Sequence, residues 1–234
     1  MNILVTGASR GIGAAAFALL QSAGHNVAGH STRGDDELIA GDLADPAAPR
    51  SLWDAALDRL DGRIDVLVNN AGVYEAIADD APDAEWQAAW ARTLAINLQA
   101  PADLSRLAVG HFRERGGGGR IVNVASRAAF RGDSPPHWHY AASKAALVAM
   151  TRTIARGYAA EGILAFAVAP GFTVSEMTEE YLAGRGGAQI VADIPLGRVA
   201  SAEEVAETIR WLAIDAPPSA TGTIIDVNGA SYVR

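Results

Sequence analysis

Short apolar runs alternate along this chain with longer stretches of helical periodicity. Residues 2–6 (NILVT), with Ile3, Leu4 and Val5 in succession, read as a buried strand, and a helical pattern follows from Gly11 to Ala23. Similar runs at 26–31, 38–43, 64–72, 121–126, 163–170 and 222–229 read as strands. Between them, residues 46–60 open on proline and place Leu52, Ala56, Leu57 and Leu60 at helical spacing. Residues 83 to 114 predict one long helical stretch, with a break expected near Pro101. A further helix is predicted over 138–160. Ser201 and Glu204 stand at the N-cap and N3 positions of a capping box that opens a helix over 201–214. The GGGGR stretch at 116–120 reads as a turn. Weak periodicity and several glycines over 172–200 predict short helices in a mobile substrate-side segment, about 172–195. Strands that alternate with helices imply parallel pairing, right-handed crossovers and helices on both faces of one sheet. The predicted class is α/β, with residues 1–234 forming a single domain.

Composition narrows the function. Half of the 234 residues are hydrophobic and a fifth are charged, so there is material for a full core without cross-links. Cysteine is absent, which excludes disulfides, thiolate zinc sites and a cysteine nucleophile. A net charge of −8 with scattered arginines argues against nucleic acid as a partner. No basic and apolar leader precedes the first strand, so no signal peptide is expected. The longest apolar run, 162–170, is too short to span a bilayer. These features predict a cytoplasmic protein with no membrane partner. His137 and His139 lack a third ligand, so they read as a pocket edge or a solvated turn, and no metal is expected.

The first candidate for chemistry is TGASRGIG, residues 6–13. Gly7 allows a tight turn, Gly11 lets backbone approach a diphosphate, and Gly13 lets a helix pack close to the sheet. Free amides and the helix dipole would face the anion. The spacing, G-x3-G-x-G, also fits an ordinary β–α turn. At the end of the second strand, GHSTRG holds no acid that could bind a ribose 2′-hydroxyl. Ser31, Thr32 and Arg33 stand there, with Arg10 in the glycine turn. Hydroxyls and guanidiniums suit a 2′-phosphate, which favours NADP(H) over NAD(H). The alternative is that Arg33 is a solvated loop residue.

The second candidate is Lys144, the one lysine beside 18 arginines. Codon bias against lysine would explain it as a chance survivor. Chemistry offers a different reason. Tyr140 and Lys144 are four residues apart and share a helix face. An ammonium there would favour the phenolate, and its compact head could bind ribose hydroxyls where a planar guanidinium fits less well.

TGASRGIG, NNAG (69–72), Ser126, YAASK (140–144) and APG (169–171) together resemble the short-chain dehydrogenases/reductases, in the same order and over essentially the whole chain. The resemblance, nearest to the 3-oxoacyl-acyl-carrier-protein reductases, implies a Rossmann-type doubly wound parallel sheet of about seven strands and a catalytic set of Asn97, Ser126, Tyr140 and Lys144. Tyr140 would be the acid or base, and Ser126 would place the substrate oxygen. Lys144 would hold the nicotinamide ribose and lower the Tyr140 pKa, while Asn97 would hold a water toward solvent. Cofactor contacts would come from Gly7, Ser9, Arg10, Gly11, Ile12 and Gly13, then from Ser31, Thr32, Arg33, Asp42 and Leu43. Asn69, Ala71 and Gly72 would shape the cofactor floor, and Pro170, Gly171, Thr173 and Ser175 would lie near the carboxamide. Serine stands at 175 where the family commonly has threonine, and it keeps the hydroxyl.

The substrate is less legible. Arg127, Arg131, His137, Trp138 and Phe172 are the expected pocket residues. Three functions stay open: a 3-oxoacyl-thioester reductase, a reductase or dehydrogenase of a free ketone, alcohol or sugar, and a non-catalytic NADP-sensing module. The resemblance also implies a homotetramer formed through the long helices.

Overall fold

The computed structural model describes residues 1–173 and 187–234. Seven strands form one sheet: β1 (Asn2–Val5), β2 (Asn26–Ser31), β3 (Leu38–Ala40), β4 (Val66–Asn69), β5 (Gly119–Val124), β6 (Ile163–Pro170) and β7 (Ile224–Val227). Their order is β3-β2-β1-β4-β5-β6-β7, and every pairing is parallel. The chain reverses its winding between β1 and β4. In such sheets ligands bind at that point, beyond the carboxyl ends of the strands.

Both faces are covered, as unbroken apolar strands require. Helices α1 (Gly11–Ser22) and α8 (Ala202–Ile214) bury Phe17, Leu20, Ile209 and Leu212 against Ile3, Val5 and Phe166. On the opposite face lie α2 (Ala48–Arg59), α4 (Ala100–Glu114) and α6 (Trp138–Tyr158). They pack Leu52, Trp53, Leu104, Phe112 and Ile154 against Leu4, Leu67, Ile121 and Ile163. Ile3 and Val5 go to one core and Leu4 to the other, the two-residue alternation of a strand. The fold is therefore the expected doubly wound α/β sheet.

The stretch read as one helix over 83–114 is α3 (Asp83–Leu94), a π-helical turn (Ala95–Gln99) and α4. Pro101 sits in the first turn of α4. It has no N–H to give the carbonyl four residues back, which belongs to Asn97, so the register widens there. β5 begins at Gly119, inside the expected turn, and the Phe112 ring leaves no room for a side chain there, since a Cβ at Gly119 would lie 2.4 Å from it. β3 and β4 end earlier than expected, and the residues beyond them become site loops. The capping box forms as read: Ser201 N–H donates to Glu204 Oε2 (2.9 Å) and Glu204 N–H to Ser201 Oγ (3.3 Å). The loop between Ser126 and Tyr140 holds a short helix α5 (Ala128–Arg131) and a 3₁₀ turn (Pro135–His137), neither of which the periodicity announced. Helix α7 (Gly187–Ala192) lies in the segment expected to be mobile; part of that segment, with Ser175, lies outside the described residues.

Candidate active site

The glycine turn after β1 has the backbone its sequence asks for. Gly7 and Gly11 adopt φ of 67° and 55°, where side chains are strained. A Cβ on Gly13 would lie 2.0 Å from the Gly7 carbonyl oxygen, so helix α1 packs directly under the turn. No side chain caps α1 and no acid lies in its first turn. Its first amides are thus left for an anion, and Arg10 at the N-cap adds positive charge. These features fit the diphosphate of a dinucleotide. Ser9 and Arg10 are exposed; Ile12 packs against the core and can offer only its backbone.

Two residues that lock this turn were missed from sequence. Thr6 Oγ1 accepts the N–H groups of Asn70 and Ala71, both at 3.0 Å. Asn70 Nδ2 donates to the carbonyls of Thr6 and Gly7, both at 3.0 Å. The loops after β1 and β4 are thereby laced together. Asn69, expected in the cofactor floor, turns the other way. It is buried and donates to Asn123 Oδ1 (2.9 Å) and Ser105 Oγ (3.2 Å), and Asn123 reaches Thr151 Oγ1 (2.8 Å). Adjacent positions at a strand end face opposite sides, so Asn69 is a core side chain and Asn70 the loop clamp.

Beyond β2, Ser31 is buried and accepts the Gly34 N–H at 3.0 Å, which shapes the turn carrying Thr32 and Arg33. Thr32 and Arg33 are exposed. Arg10 and Arg33 make no ion pair among the described residues, so both guanidiniums are open to an incoming phosphate. Asp42 Oδ1 accepts the Ala44 N–H at 3.0 Å and so closes a turn. Leu43 is buried in the core and presents only backbone. A third missed residue is His30, which is buried between the glycine turn and Gly41.

The expected catalytic residues converge at the carboxyl ends of β4 and β5. Lys144 is buried, and its Nζ donates to the Val124 carbonyl at 2.8 Å. Asn97 sits in the π turn, fully buried. Its Oδ1 accepts the Val73 N–H (2.8 Å), and its Nδ2 donates to the Val73 carbonyl (3.0 Å) and Ser143 Oγ (3.3 Å). Ser143 in turn donates to the Tyr140 carbonyl at 2.7 Å. A Cβ on Gly72 would come within 3.4 Å of both Asn97 Oδ1 and Lys144 Nζ, so these side chains flank one small space. Ser126 Oγ accepts the Ala128 N–H at 3.1 Å, which orients the hydroxyl at the end of β5.

Burial governs the titration of this cluster. It pushes the Tyr140 phenol up to about 12, against the opposing hydrogen bond from Ser126. It pulls the Lys144 ammonium down to about 8. The expected lowering of the Tyr140 pKa by Lys144 is therefore not what this arrangement produces. Nζ lies 5.8 Å from the Tyr140 ring centroid and is directed to Val124, while desolvation drives both groups toward their neutral forms. A neutral phenol is a proton donor, which suits the protonation of a carbonyl oxygen.

Tyr74 and His137 form the wall beside Tyr140. Their rings stack 3.9 Å apart at an interplanar angle of 2°, and Tyr74 meets the Tyr140 ring edge-on at 4.7 Å. Tyr74 Oη donates to Asp133 Oδ1 (3.1 Å), and Ser134 Oγ lies 2.9 Å from His137 Nδ1. Trp138 is 53% exposed and packs edge-on against Trp86. The arginines expected in the pocket are both tied to the C-terminal segment. Arg127 hydrogen-bonds Ser231 Oγ and lies over the Phe172 ring at 4.8 Å. Arg131 reaches the Ser231 carbonyl (3.4 Å) and Asp193 (3.9 Å). Backbone near the end of β6 is fixed as well, since the Gly171 N–H donates to the Val227 carbonyl at 2.9 Å. Thr173 Oγ1 donates to the Gly171 carbonyl at 3.3 Å, and the Pro170 carbonyl accepts the Arg127 N–H at 2.9 Å.

A family model described as enoyl-(acyl carrier protein) reductase matches residues 7–230. The chain belongs to the short-chain dehydrogenase/reductase family. It is 37% identical to a 3-oxoacyl-[acyl-carrier-protein] reductase of Synechocystis sp., covering 97% of this chain and 94% of the relative. It is 32% identical to an acetoacetyl-CoA reductase of Rhizobium meliloti, covering 98% and 97%. A short chain dehydrogenase from Burkholderia cenocepacia, solved in complex with NADP, superposes with a TM-score of 0.87 at 30% identity and covers 98% of this chain and 97% of its own. As a member of this family the protein is an NAD(P)-using oxidoreductase. No helix among the described residues is long and apolar enough to cross a membrane.

Proposed function

We propose that this reductase uses NADP(H) to interconvert a carbonyl and a secondary alcohol, with a 3-oxoacyl thioester as its substrate. The observation that carries the chemistry is the convergence of Tyr140, Ser126 and Lys144 at the sheet's carboxyl edge. The relatives' activities support the substrate class. NADPH, when bound, supplies the hydride. The glycine turn would hold its diphosphate, Arg10 and Arg33 its 2′-phosphate, and Lys144 its ribose. Tyr140, neutral at physiological pH, gives its proton to the substrate oxygen, and Ser126 donates a hydrogen bond to the same oxygen. Asn97 keeps the Val73 backbone and the Ser143 hydroxyl in place behind this pair.

A specific observation favours a second substrate class, a free ketone, alcohol or sugar. The pocket arginines are engaged by Ser231 and Asp193, the wall is aromatic, and the loop carrying Tyr74 continues through exposed Asp79 and Asp80 to Asp83 at the start of α3, with Glu75 paired to Arg92. An acidic rim suits an uncharged substrate better than one on an anionic carrier such as acyl carrier protein or coenzyme A. Titration with NADPH and NADH, then turnover of acetoacetyl thioesters against uncharged ketones, tests both readings. Thioester turnover supports the first, and turnover of free ketones alone the second. Dinucleotide binding without turnover of either class would favour a sensing module.

The oligomer and its setting belong to the same proposal. Ala142, Ala145 and Ala149 are exposed on α6. Helix α3 buries only Thr93, which leaves faces for partner copies in a cytoplasmic homotetramer. A monomer by light scattering would overturn the tetramer.

A further inference from the structure

His30 is buried at the end of β2, and both of its ring nitrogens are engaged. Nδ1 accepts the Gly7 N–H at 3.2 Å, so the ring proton resides on Nε2, which donates to the Gly41 carbonyl at 2.8 Å. The His30 carbonyl also accepts the Ala8 N–H at 2.7 Å. One residue thus holds two successive amides of the glycine turn and ties that turn to the strand end preceding Asp42. We propose that His30 is a positioning residue for the dinucleotide: its neutral imidazole braces the phosphate-binding turn, and its protonation releases that brace and weakens dinucleotide binding.

The chemistry follows from the donor count. Protonated imidazole is a donor at both nitrogens, so Nδ1–H would face the Gly7 N–H. Burial holds the ring below its ordinary pKa, with the Gly41 carbonyl opposing. Both ring nitrogens meet backbone groups, of Gly7 and of Gly41, and no charged side chain pairs with the ring among the described residues. The brace is therefore intact at neutral pH and is lost as pH falls through the folded value, which lies below the ordinary 6.5.

This inference rests on the dinucleotide reading above, and its test separates the two. The full-length protein is titrated with NADP⁺ by tryptophan fluorescence across the acid range, as wild type, His30→Asn and His30→Phe. The ligand's own phosphate titration is common to all three and cancels in the comparison. Asn places Oδ1 where Nδ1 stands and does not titrate. We expect His30→Asn to bind within about threefold of wild type at neutral pH and to lack the extra acid weakening of wild type. We expect His30→Phe to bind about tenfold or more weakly at every pH, since the Gly7 N–H loses its acceptor. Equal affinities for His30→Phe and wild type would overturn the proposal, as would identical pH profiles for wild type and His30→Asn. If His30→Phe does not fold, the His30→Asn profile decides. Failure of wild type to bind NADP⁺ or NAD⁺ at any pH would overturn the dinucleotide reading and this inference with it.

Discussion

Replacing Lys144 with methionine should stabilise the cofactor-free protein while destroying its activity. The ammonium is buried, and desolvation takes its pKa from 10.5 to about 8. At about 1.4 kcal/mol per pH unit, keeping that charge inside costs roughly 3 kcal/mol at neutral pH. Methionine fills much of the same volume without charge, but it leaves the Val124 carbonyl without its 2.8 Å partner, which costs about 2 kcal/mol. The net expectation is a gain of about 1 kcal/mol, or about 2–4 °C in melting temperature for a chain of this size. The pH dependence is the sharper signature. Between about 8 and 10.5 the unfolded chain binds a proton that the folded chain has lost, so wild-type stability rises with pH. Tyr140 stays neutral in that window, since its phenol is held up to about 12. The stability difference should therefore move by about 2 kcal/mol in favour of wild type from about pH 7.5 to about pH 9.5, which turns the variant's advantage of about 1 kcal/mol into a deficit of similar size. Urea unfolding of both proteins at the two pH values and one fixed protein concentration measures this. A constant difference across that range would refute the claim that burial, and not a favourable pairing, sets the state of Lys144.

Three further perturbations report on other parts of the structure. Gly13→Ala places a Cβ against the Gly7 carbonyl, so dinucleotide affinity should fall and unfolding free energy should drop by about 1–3 kcal/mol, read by titration and melting. Arg33→Ala should raise the Kd for NADPH about tenfold and leave that for NADH unchanged; an equal effect on both would remove Arg33 from the 2′-phosphate site. Ser201→Ala breaks the capping box of α8, and should cost about 1 kcal/mol of stability, read by melting.

What was legible in the sequence was what repeats or caps. The alternating strand and helix periods gave the sheet, and Ser201 with Glu204 gave the start of α8. Pro101 marked the break in the long helix, but proline alone does not say that the freed register becomes a π turn presenting Asn97. The contacts that escaped are those made across long sequence separations to backbone. Thr6 and Asn70 meet across 64 residues, and His30 reaches back 23 to Gly7. A side chain that bonds a distant amide leaves no period to detect. A lone histidine in an apolar strand was the only signal for His30. The hold on Arg127 escaped for the same reason, since its partner Ser231 lies 104 residues away.

The most direct test of the proposed chemistry is reduction of a carbonyl substrate by wild type and Tyr140→Phe, with NADPH affinity measured on the same preparations. The phenol is the group placed to protonate the substrate oxygen, so the variant should bind NADPH within about twofold of wild type and lose at least about 100-fold in kcat. Turnover by Tyr140→Phe close to that of wild type would contradict the assignment of Tyr140 as the acid, and with it the mechanism drawn from this site.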